Sequence, residues 1–310
     1  MNLRFSLCCF SLMLTGVLQA QEWLRFEVVQ PKMGTQFRLV FYARDSAEAN
    51  IAAIKAFEKV DALNAIFSDY EADSEISRLC QYVDTLAYMP VGTDMWRLLQ
   101  QSDTIYRLSS GAFDLSIGPL SKLWRKAFRQ KAFPDSLSLA EAKKRVGFEF
   151  LDLSQERQLR FRNKDMRLDA GGIAKGYTAD EVLKLLASLG ISQALIDAGG
   201  DIAAGAPPPG QKAWHIQMAG LGMIPLKHRA IATSGDEYRY LKWDGKRYSH
   251  IIDPRNGLGV DHGLQVSVIA PHGWLADALA SALSVAPDLL TPFQKRYPDC
   301  IFYLSKQDHE

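Results

Sequence analysis

A glycine-rich segment ahead of a predicted helix is the part of the sequence best suited to phosphate chemistry. Asp169–Gly176 reads Asp-Ala-Gly-Gly-Ile-Ala-Lys-Gly, and the apolar periodicity that follows predicts a helix over Tyr177–Leu189. Backbone N–H groups at a helix N-terminus attract phosphate oxygens, and Lys175 adds a positive charge. The segment has neither the Walker A nor the Gly-x-Gly-x-x-Gly pattern. By itself it fits either a phosphate site or a structural strand-turn-helix connection.

Two oxygen-bearing side chains lie in the predicted helix Leu275–Ser284. Asp277 and Ser281 are four residues apart, which places both on one face of that helix. A carboxylate and a hydroxyl form part of a hard oxygen shell, which suits Mg2+ whose coordination is completed by water and substrate phosphates. The alternative is a surface aspartate and a serine in a packing seam, and the spacing allows both.

His250 is the third candidate, with Asp253 three residues further along the chain. Histidine is the side chain that most readily accepts a proton near neutral pH, and a carboxylate such as Asp253 can also act as a general base. A histidine followed by two isoleucines is also a common structural residue. The six histidines show no zinc-type clustering.

The elements that must position these residues form a mixed pattern, typical of an α+β or mixed α/β fold. Helices are predicted at Ala47–Ala65, Met95–Leu108, Leu139–Val146, Tyr177–Leu189 and Leu275–Ser284. Strands are predicted at Leu24–Val29, Gln36–Tyr42, Phe148–Leu153, Gln158–Arg162, Met166–Asp169, Gln193–Asp197, Trp214–Met218, Ile231–Ser234, Tyr248–Ile252 and Gln265–Ile269. The predicted apolar stripe of the first helix consists of Ile51, Ile54, Ala56, Val60 and Leu63.

The N-terminus has the pattern of a secretory signal peptide over residues 1–20. Arg4 precedes an uncharged run, Phe5–Leu18, which is too short for a comfortable transmembrane helix, and cleavage is expected after Ala20. A lipobox is absent, because Cys8 and Cys9 lie inside the apolar run. We expect an exported protein, periplasmic or facing the periplasm, with association with the inner membrane left open.

The charge balance gives no support for nucleic acid as a partner, and the cysteine content leaves the presence of a disulfide open. Beyond the signal segment the 35 basic and 35 acidic side chains balance, so no general attraction to nucleic acid follows. Cys80 and Cys300 lie in the mature part of the chain without a Cys-x-x-Cys neighbour. They could form one disulfide or remain two buried thiols.

Taken in order, several separated blocks resemble the FAD:protein FMN transferases, the ApbE-type flavin transferase family. The blocks are Met33–Thr35, Phe67–Leu79, Ser110–Asp114, Gly118–Leu120 with Trp124, Leu168–Tyr177, Ala198–Asp201, Thr233–Gly235, His250–Pro254 and Ala276–Ala278. The resemblance covers nearly the whole mature chain. It implies one flavin transferase domain over residues 21–310, with mixed, largely antiparallel sheets flanked by helices.

The resemblance also implies a role for each candidate residue. The residues implied to contact FAD are Met33, Tyr70, Ala112, Phe113, Asp114, Asp169, Lys175 and Ile252. The Gly172 carbonyl, Asp277 and Ser281 are implied to hold Mg2+, and we assign catalysis to Lys175, with His250 or Asp253 as general base. The family usually has threonine at the position of Ser281, and an Asp-Pro-x-Thr-Gly turn where this chain has Asp253–Gly259.

The activity implied is cleavage of FAD with release of AMP and attachment of FMN to a threonine or serine hydroxyl. The acceptor would be an exported or membrane-bound flavoprotein, such as a subunit of a redox complex. Three alternatives are an FAD pyrophosphatase that gives FMN and AMP, a non-catalytic flavin-binding protein, and a general Mg2+-dependent nucleotide hydrolase. All but the flavin-binding protein require the metal site.

Overall fold

The structure is a computed structural model that describes residues 23–218, 221–235 and 240–306. The predicted signal peptide, residues 1–20, lies outside the described residues. The helices are α1 (Ser46–Phe67), α2 (Glu75–Gln81), α3 (Thr93–Leu108), α4 (Gly118–Gln130), α5 (Ser136–Lys143), α6 (Ala174–Ser188), α7 (Gly273–Val285) and α8 (Leu290–Arg296). The strands are β1 (Leu24–Lys32), β2 (Thr35–Ala43), β3 (Met89–Pro90), β4 (Leu151–Asp152), β5 (Gln158–Phe161), β6 (Ala194–Ala198), β7 (Ile202–Ala204), β8 (Trp214–Met218), β9 (Gly222–Leu226), β10 (Arg229–Ser234), β11 (Tyr240–Trp243), β12 (Lys246–Ser249), β13 (Leu264–Ala270) and β14 (Ile301–Lys306).

A seven-stranded sheet forms the centre of the fold, in the order β1-β2-β6-β7-β10-β13-β14. Every neighbouring pair in it is antiparallel. Smaller sheets are β3-β5-β4 and the hairpins β8-β9 and β11-β12. The predicted mixed fold with largely antiparallel sheets is confirmed.

Successive side chains of the central strands point to opposite faces of the sheet, and each face is covered by its own hydrophobic core. On β2, Leu39 joins the main core with the helices α1, α6 and α7, whereas its neighbour Val40 joins a second core. The second core is closed by the β8-β9 hairpin, which contributes Trp214 and Leu226. The helical face is the one that carries the candidate site.

The predicted apolar stripe of α1 is partly wrong. Val60 and Leu63 are buried as predicted, but Ile51 and Ile54 are 56% and 59% exposed. The helix turns a face rich in alanine toward the sheet, with Ala52 fully covered. Small side chains let the helix lie close to its neighbours, so the largest aliphatic residues do not mark the buried face here.

Several other element boundaries differ from the prediction because tertiary contacts decide them. Met166–Asp169 is no strand end but an extended segment with one isolated bridge, between Arg167 and Ile117. The segment Phe148–Leu153 begins as a 3-10 turn, and β12 ends at Ser249. Helices α2, α4 and α8 and strands β3, β7, β9, β11 and β14 were not predicted. Most of them are short, and α4 begins with Gly-Pro.

Cys80 and Cys300 are free thiols. The Cys80 sulfur accepts the Leu168 N–H at 3.3 Å, and burial raises the pKa of Cys300 to about 11. Within the described residues, no helix is both long and apolar enough to cross a bilayer.

Candidate functional site

The glycine-rich segment forms a turn that leads directly into α6. Asp169 N–H donates to the Leu115 carbonyl at 2.8 Å, which fixes the approach to the turn. Helix α6 then begins at Ala174, so Lys175 and Gly176 belong to its first turn. The helix start was predicted at Tyr177, three residues too late.

Helices α6 and α7 contact each other through paired glycines. A Cβ atom added to Gly176 would lie 2.2 Å from the Gly273 carbonyl oxygen, and one added to Gly273 would lie 2.4 Å from the Gly176 carbonyl oxygen. Real Cβ atoms do not approach backbone this closely, so both positions require glycine. The contact brings the first turns of the two helices together.

Each of these helices also caps the other. The Asp180 carboxylate of α6 accepts from the N–H groups of Gly273 at 2.7 Å and Trp274 at 3.2 Å. In return, the Asp277 carboxylate of α7 accepts from the Gly176 N–H at 3.2 Å. A carboxylate at a helix N-terminus satisfies unpaired donors and complements the helix dipole. The two caps fix the orientation of Asp277 toward the start of α6.

Ser281 and Asp277 both reach the glycine turn from α7. The Ser281 hydroxyl lies 3.4 Å from the Gly172 carbonyl oxygen, and a Cβ at Gly172 would lie only 2.9 Å from that hydroxyl. Asp277 is 5% exposed. The structure therefore brings together all three residues that the sequence predicted as metal ligands, and their donors are a carbonyl, a hydroxyl and a carboxylate.

Lys175 is paired with an aspartate to which the sequence analysis gave no role. Its ammonium group donates to the carboxylate of Asp201, a residue 3% exposed in the turn between β6 and β7. Burial opposes the charge of Lys175, but Asp201 and Asp277 outweigh it and hold the pKa of Lys175 above its ordinary value. Burial and the charge of Asp201 raise the pKa of Asp277 to about 7, against the effect of Lys175.

This cluster fits a hard divalent cation. The two buried carboxylates of Asp201 and Asp277 carry more negative charge than Lys175 neutralises, and an added cation would offset the excess. Oxygen ligands are the type that Mg2+ prefers. In residues 23–218, 221–235 and 240–306, no group of three or more His, Cys, Asp or Glu side chains could hold a metal. A metal there must therefore rely on donors such as the Gly172 carbonyl and the Ser281 hydroxyl.

Met33 lies in the tight turn of the β1-β2 hairpin. Met33 and Gly34 have φ of +48° and +74°, as a two-residue hairpin turn requires. Thr35 then packs against Gly199, where an added Cβ would lie 2.1 Å from the threonine hydroxyl oxygen. This contact places the Met33 turn beside the β6-β7 turn that carries Asp201.

The segment Ala112–Asp114 is buried against the glycine turn. A Cβ at Gly172 would lie 3.4 Å from the Phe113 ring. The Asp114 carboxylate accepts from the Ser116 N–H and hydroxyl, both at 2.7 Å, and from the Phe148 N–H at 3.1 Å. Burial raises the pKa of Asp114 to about 6, although these hydrogen bonds oppose the shift.

Asp169 and Tyr70 lie on segments that are distant in sequence but are joined by Arg125. The Arg125 guanidinium donates to Asp169 at 2.8 Å and lies 4.2 Å from the centre of the Tyr70 ring. Both tyrosine and aspartate were predicted to contact FAD. The arginine that joins them was not predicted, since α4 was missed.

In the region after β12, the candidate residue Asp253 is held by hydrogen bonds from its own turn. The Asp253 carboxylate accepts from the Arg255 N–H, from its guanidinium at 2.8 and 2.9 Å, and from the Asn256 amide. Ile252 is buried in a separate cluster with Trp124. His250 is exposed at the end of β12. Asp253 also lines a cavity of about 230 Å³ that reaches Val285, the last residue of α7.

Arg125, Asp180 and Asp201 are the site residues that the sequence analysis missed. Asp201 had a visible signal, because it follows two glycines in the block Ala198–Asp201. Asp180 is the fourth residue after Gly176, but nothing local indicates that it caps a helix about ninety residues away. Their roles depend on long-range contacts.

Comparisons with known proteins agree with this geometry. The ApbE family model matches residues 33–296. An FAD:protein FMN transferase of Klebsiella pneumoniae is 30% identical over 267 residues, which cover 82% of this chain and 76% of the relative. The enzyme of the same name from Treponema pallidum is 30% identical over 294 residues, covering 87% and 80%.

Solved structures of similar proteins show the same fold. Flavin transferase ApbE from Vibrio cholerae superposes with a TM-score of 0.80 at 25% identity, covering 91% of this chain and 94% of that one. The ApbE protein from Thermotoga maritima, at 24% identity, gives a TM-score of 0.81 over 92% and 97% of the two chains. On the family match, the identity to its relatives and the shared fold, the chain belongs to the ApbE family of flavin transferases.

Proposed function

We propose that the chain is a Mg2+-dependent FAD:protein FMN transferase. It would split FAD at the pyrophosphate and attach the FMN half to a threonine or serine hydroxyl of an acceptor protein. The observation that carries the proposal is the oxygen-only cluster of Gly172, Asp277 and Ser281 at the start of α6, beside Lys175. In it the Ser281 hydroxyl lies 3.4 Å from the Gly172 carbonyl oxygen, and Asp277 accepts from the Gly176 N–H. This arrangement offers one site for a cation next to one for phosphate. The names of the relatives supply the flavin substrate.

The metal site would use Asp277, Ser281 and the Gly172 carbonyl. The fit rests on three hard oxygen donors and on the two buried carboxylates, Asp277 and Asp201, that share Lys175. When bound, Mg2+ supplies neutralisation of pyrophosphate charge. Asp180 keeps α7 in place, so that Asp277 faces the start of α6.

The transfer is a substitution at the FMN phosphorus. The acceptor hydroxyl oxygen forms a new bond to that phosphorus, the bond from the phosphorus to the bridging oxygen breaks, and AMP leaves with that oxygen. Lys175 stays protonated because its pKa lies above the ordinary value, so it stabilises negative charge rather than accepting a proton. The N-terminal dipole of α6 acts on the phosphates in the same sense.

The hydroxyl proton must pass to a base, and we assign this role to His250 over Asp253. The Asp253 carboxylate already accepts two hydrogen bonds from the Arg255 guanidinium and one from the Arg255 N–H, so its oxygens are occupied rather than open to an acceptor hydroxyl. His250 is exposed, as a residue that meets a protein acceptor must be. Histidine also has the pKa range suited to this step.

The proposed compartment follows from the signal-like segment over residues 1–20. An exported enzyme would act on exported or membrane-bound flavoproteins on the periplasmic side, such as subunits of redox complexes. This part of the proposal is tested by locating the protein and the modified acceptor in cell fractions. Cytoplasmic retention of the full chain would contradict it.

The activity is tested with purified protein, FAD, Mg2+ and a threonine-bearing acceptor protein domain, with AMP and the acceptor mass as readouts. The expected result is AMP release matched by a gain of the FMN phosphoryl mass on the acceptor. An acceptor with its threonine changed to alanine is the control and should gain nothing.

Other outcomes separate the alternatives. AMP with free FMN, with the acceptor unchanged across several sequences, would establish an FAD pyrophosphatase that uses the same cluster. Bound FAD without AMP would establish a flavin-binding protein. Equal cleavage of ATP and FAD would indicate a general nucleotide hydrolase.

A further inference from the structure

Arg125 lies on α4, outside the metal cluster, and contacts two of the residues predicted to bind FAD. Its guanidinium donates to Asp169 at 2.8 Å and to Asp69 at 2.5 Å. Its plane also lies over the Tyr70 ring, with 4.2 Å between the guanidinium carbon and the ring centre. One side chain therefore joins three separate segments: the loop after α1, helix α4 and the glycine turn.

The Tyr70 contact orders a ring that would otherwise be loosely held. Tyr70 is 77% exposed, so the ring face opposite Arg125 is open to a planar ligand. A guanidinium on one ring face restricts the tyrosine rotamer and polarises the ring. Stacking of a flavin or adenine ring on the open face then costs less side-chain entropy.

The Asp169 contact connects the same arginine to the metal cluster. One carboxylate oxygen of Asp169 accepts from Arg125, and the other accepts from the Gly171 N–H at 2.9 Å. The next residue is Gly172, whose carbonyl lies 3.4 Å from the Ser281 hydroxyl. The direction of that carbonyl therefore depends on a turn that Arg125 helps to hold.

Lysine could not replace Arg125 in this arrangement. Asp69 and Asp169 are about four-fifths and nine-tenths buried, respectively, and lie at the same guanidinium. Only a planar fork can donate to both carboxylates and still lie flat on the ring, whereas an ammonium is a point charge. Arg125→Lys keeps the charge and removes the geometry, which makes it a sharp test.

We propose that Arg125 is a positioning residue that orders the Tyr70 ring for FAD binding and the Gly171-Gly172 turn for metal binding. The inference rests on the proposed function, because it takes FAD and Mg2+ as the ligands. It adds a link between the ring-binding and phosphate-binding parts of the site. Arg125 acts on the substrate through Tyr70 and Asp169.

The experiment compares Arg125→Lys, Tyr70→Leu and the double variant with wild type in the full mature chain. FAD affinity is measured by flavin fluorescence in the presence of EDTA, and the Mg2+ concentration for half-maximal AMP release is measured separately. Arg125→Lys should weaken FAD binding about tenfold and raise the half-maximal Mg2+ concentration about fivefold, with kcat at saturation within about threefold of wild type. The double variant should bind FAD no more than about twofold weaker than Tyr70→Leu alone, because without the ring Arg125 has nothing to order.

Arg129→Lys is the matched control, since Arg129 lies one turn further along α4 and is exposed. It should match wild type in both titrations. The proposal would be overturned if the FAD affinity and half-maximal Mg2+ concentration of Arg125→Lys lay within twofold of those of Arg129→Lys. It would also be overturned if the losses of FAD affinity in the two single variants multiplied fully in the double variant. A thermal melt of each variant separates loss of fold from loss of positioning.

The outcome for the proposed function can be distinguished from this one. If wild type binds FAD but releases no AMP, the transferase proposal fails, while the FAD titrations still decide whether Arg125 acts through Tyr70. If wild type binds no FAD, both proposals are overturned.

Discussion

The α6-α7 contact and the region from β11 to Gly259 carry the two halves of the proposed chemistry, and they are held together differently. At the helix contact, backbone meets backbone at Gly176 and Gly273, and the buried Asp277 and half-buried Asp180 cap the two helices. In the second region, an exposed hairpin is held by aromatic contacts, such as the ring of Trp243 stacked on Phe133 at 6.0 Å.

The turn of the second region is held by its own residues and by one long-range hydrogen bond from α4. Asp253 binds Arg255 two positions on, and the Gly257 carbonyl accepts from the buried Trp124 indole at 2.9 Å. Bonds between neighbouring residues, such as that of Asp253 with Arg255, tolerate changes of sequence because other polar side chains in the turn can replace them. A backbone crossing does not, because any side chain would separate the helices. The second region also has a close backbone contact, since a Cβ at Gly259 would lie 2.2 Å from the Ser249 carbonyl oxygen. We therefore expect single added atoms to matter at the helix contact, and particular functional groups to matter at His250 and Asp253.

The largest expected effect in the first region is on chemistry. Asp277→Asn keeps an oxygen to accept the Gly176 N–H but removes the charge, so AMP release should fall about 1000-fold, or about 4 kcal/mol. FAD binding should change less than fivefold. Asp180→Asn, which keeps an oxygen for the Gly273 N–H and loses the weaker bond from the Trp274 N–H, is the control and should retain activity within about threefold. Equal losses in both variants would show that the charge of Asp277 has no role beyond that of any capping carboxylate at this helix contact.

The crossing itself is tested by Gly176→Ala. The added methyl group would meet the Gly273 carbonyl at 2.2 Å, so the free energy of unfolding should fall by about 3 kcal/mol in urea titrations. Gly92→Ala is the control, because its methyl group would meet only the flexible end of Glu75, at 3.0 Å. If Gly176→Ala lowered the free energy of unfolding by less than about 1 kcal/mol, the two helices could move apart without cost.

In the second region, His250→Gln tests a functional group without disturbing the turn. Transfer to the acceptor should slow about 100-fold, as loss of a general base does, and the fall in rate at acid pH should flatten. His262→Gln is the control, since His262 is also an exposed histidine and lines the cavity that Asp253 borders. An unchanged pH profile in His250→Gln would remove His250 from the mechanism.

The smallest effect is expected for Ser281→Thr, which introduces the residue usual in the family. The hydroxyl near the Gly172 carbonyl is kept, so AMP release should stay within about threefold of wild type. Ser281→Ala removes the hydroxyl and should cost more than tenfold. If Thr and Ala behave alike, the Ser281 oxygen is no metal ligand.

Much of the candidate site was predictable because its signals are local. Glycines before an amphipathic helix, and a carboxylate and hydroxyl four residues apart, made Asp169–Gly176, Asp277 and Ser281 candidates, and the family resemblance chose the functional reading over the structural one. The strands β1, β2, β8 and β13 were likewise predicted from alternation and β-branched content. In each case the evidence lies within one element.

The sequence by itself thus determined the mixed fold, the glycine turn and the candidate ligands. Only the tertiary structure decided that Asp180 caps α7, that Asp201 pairs with Lys175, and that Arg125 joins Tyr70 to Asp169. These contacts join residues 26 to 94 positions apart, or segments that meet only after the helices pack on the sheet. Local periodicity predicts helices and strands but not these contacts, because they depend on which side chains are close and oppositely charged once the elements have packed.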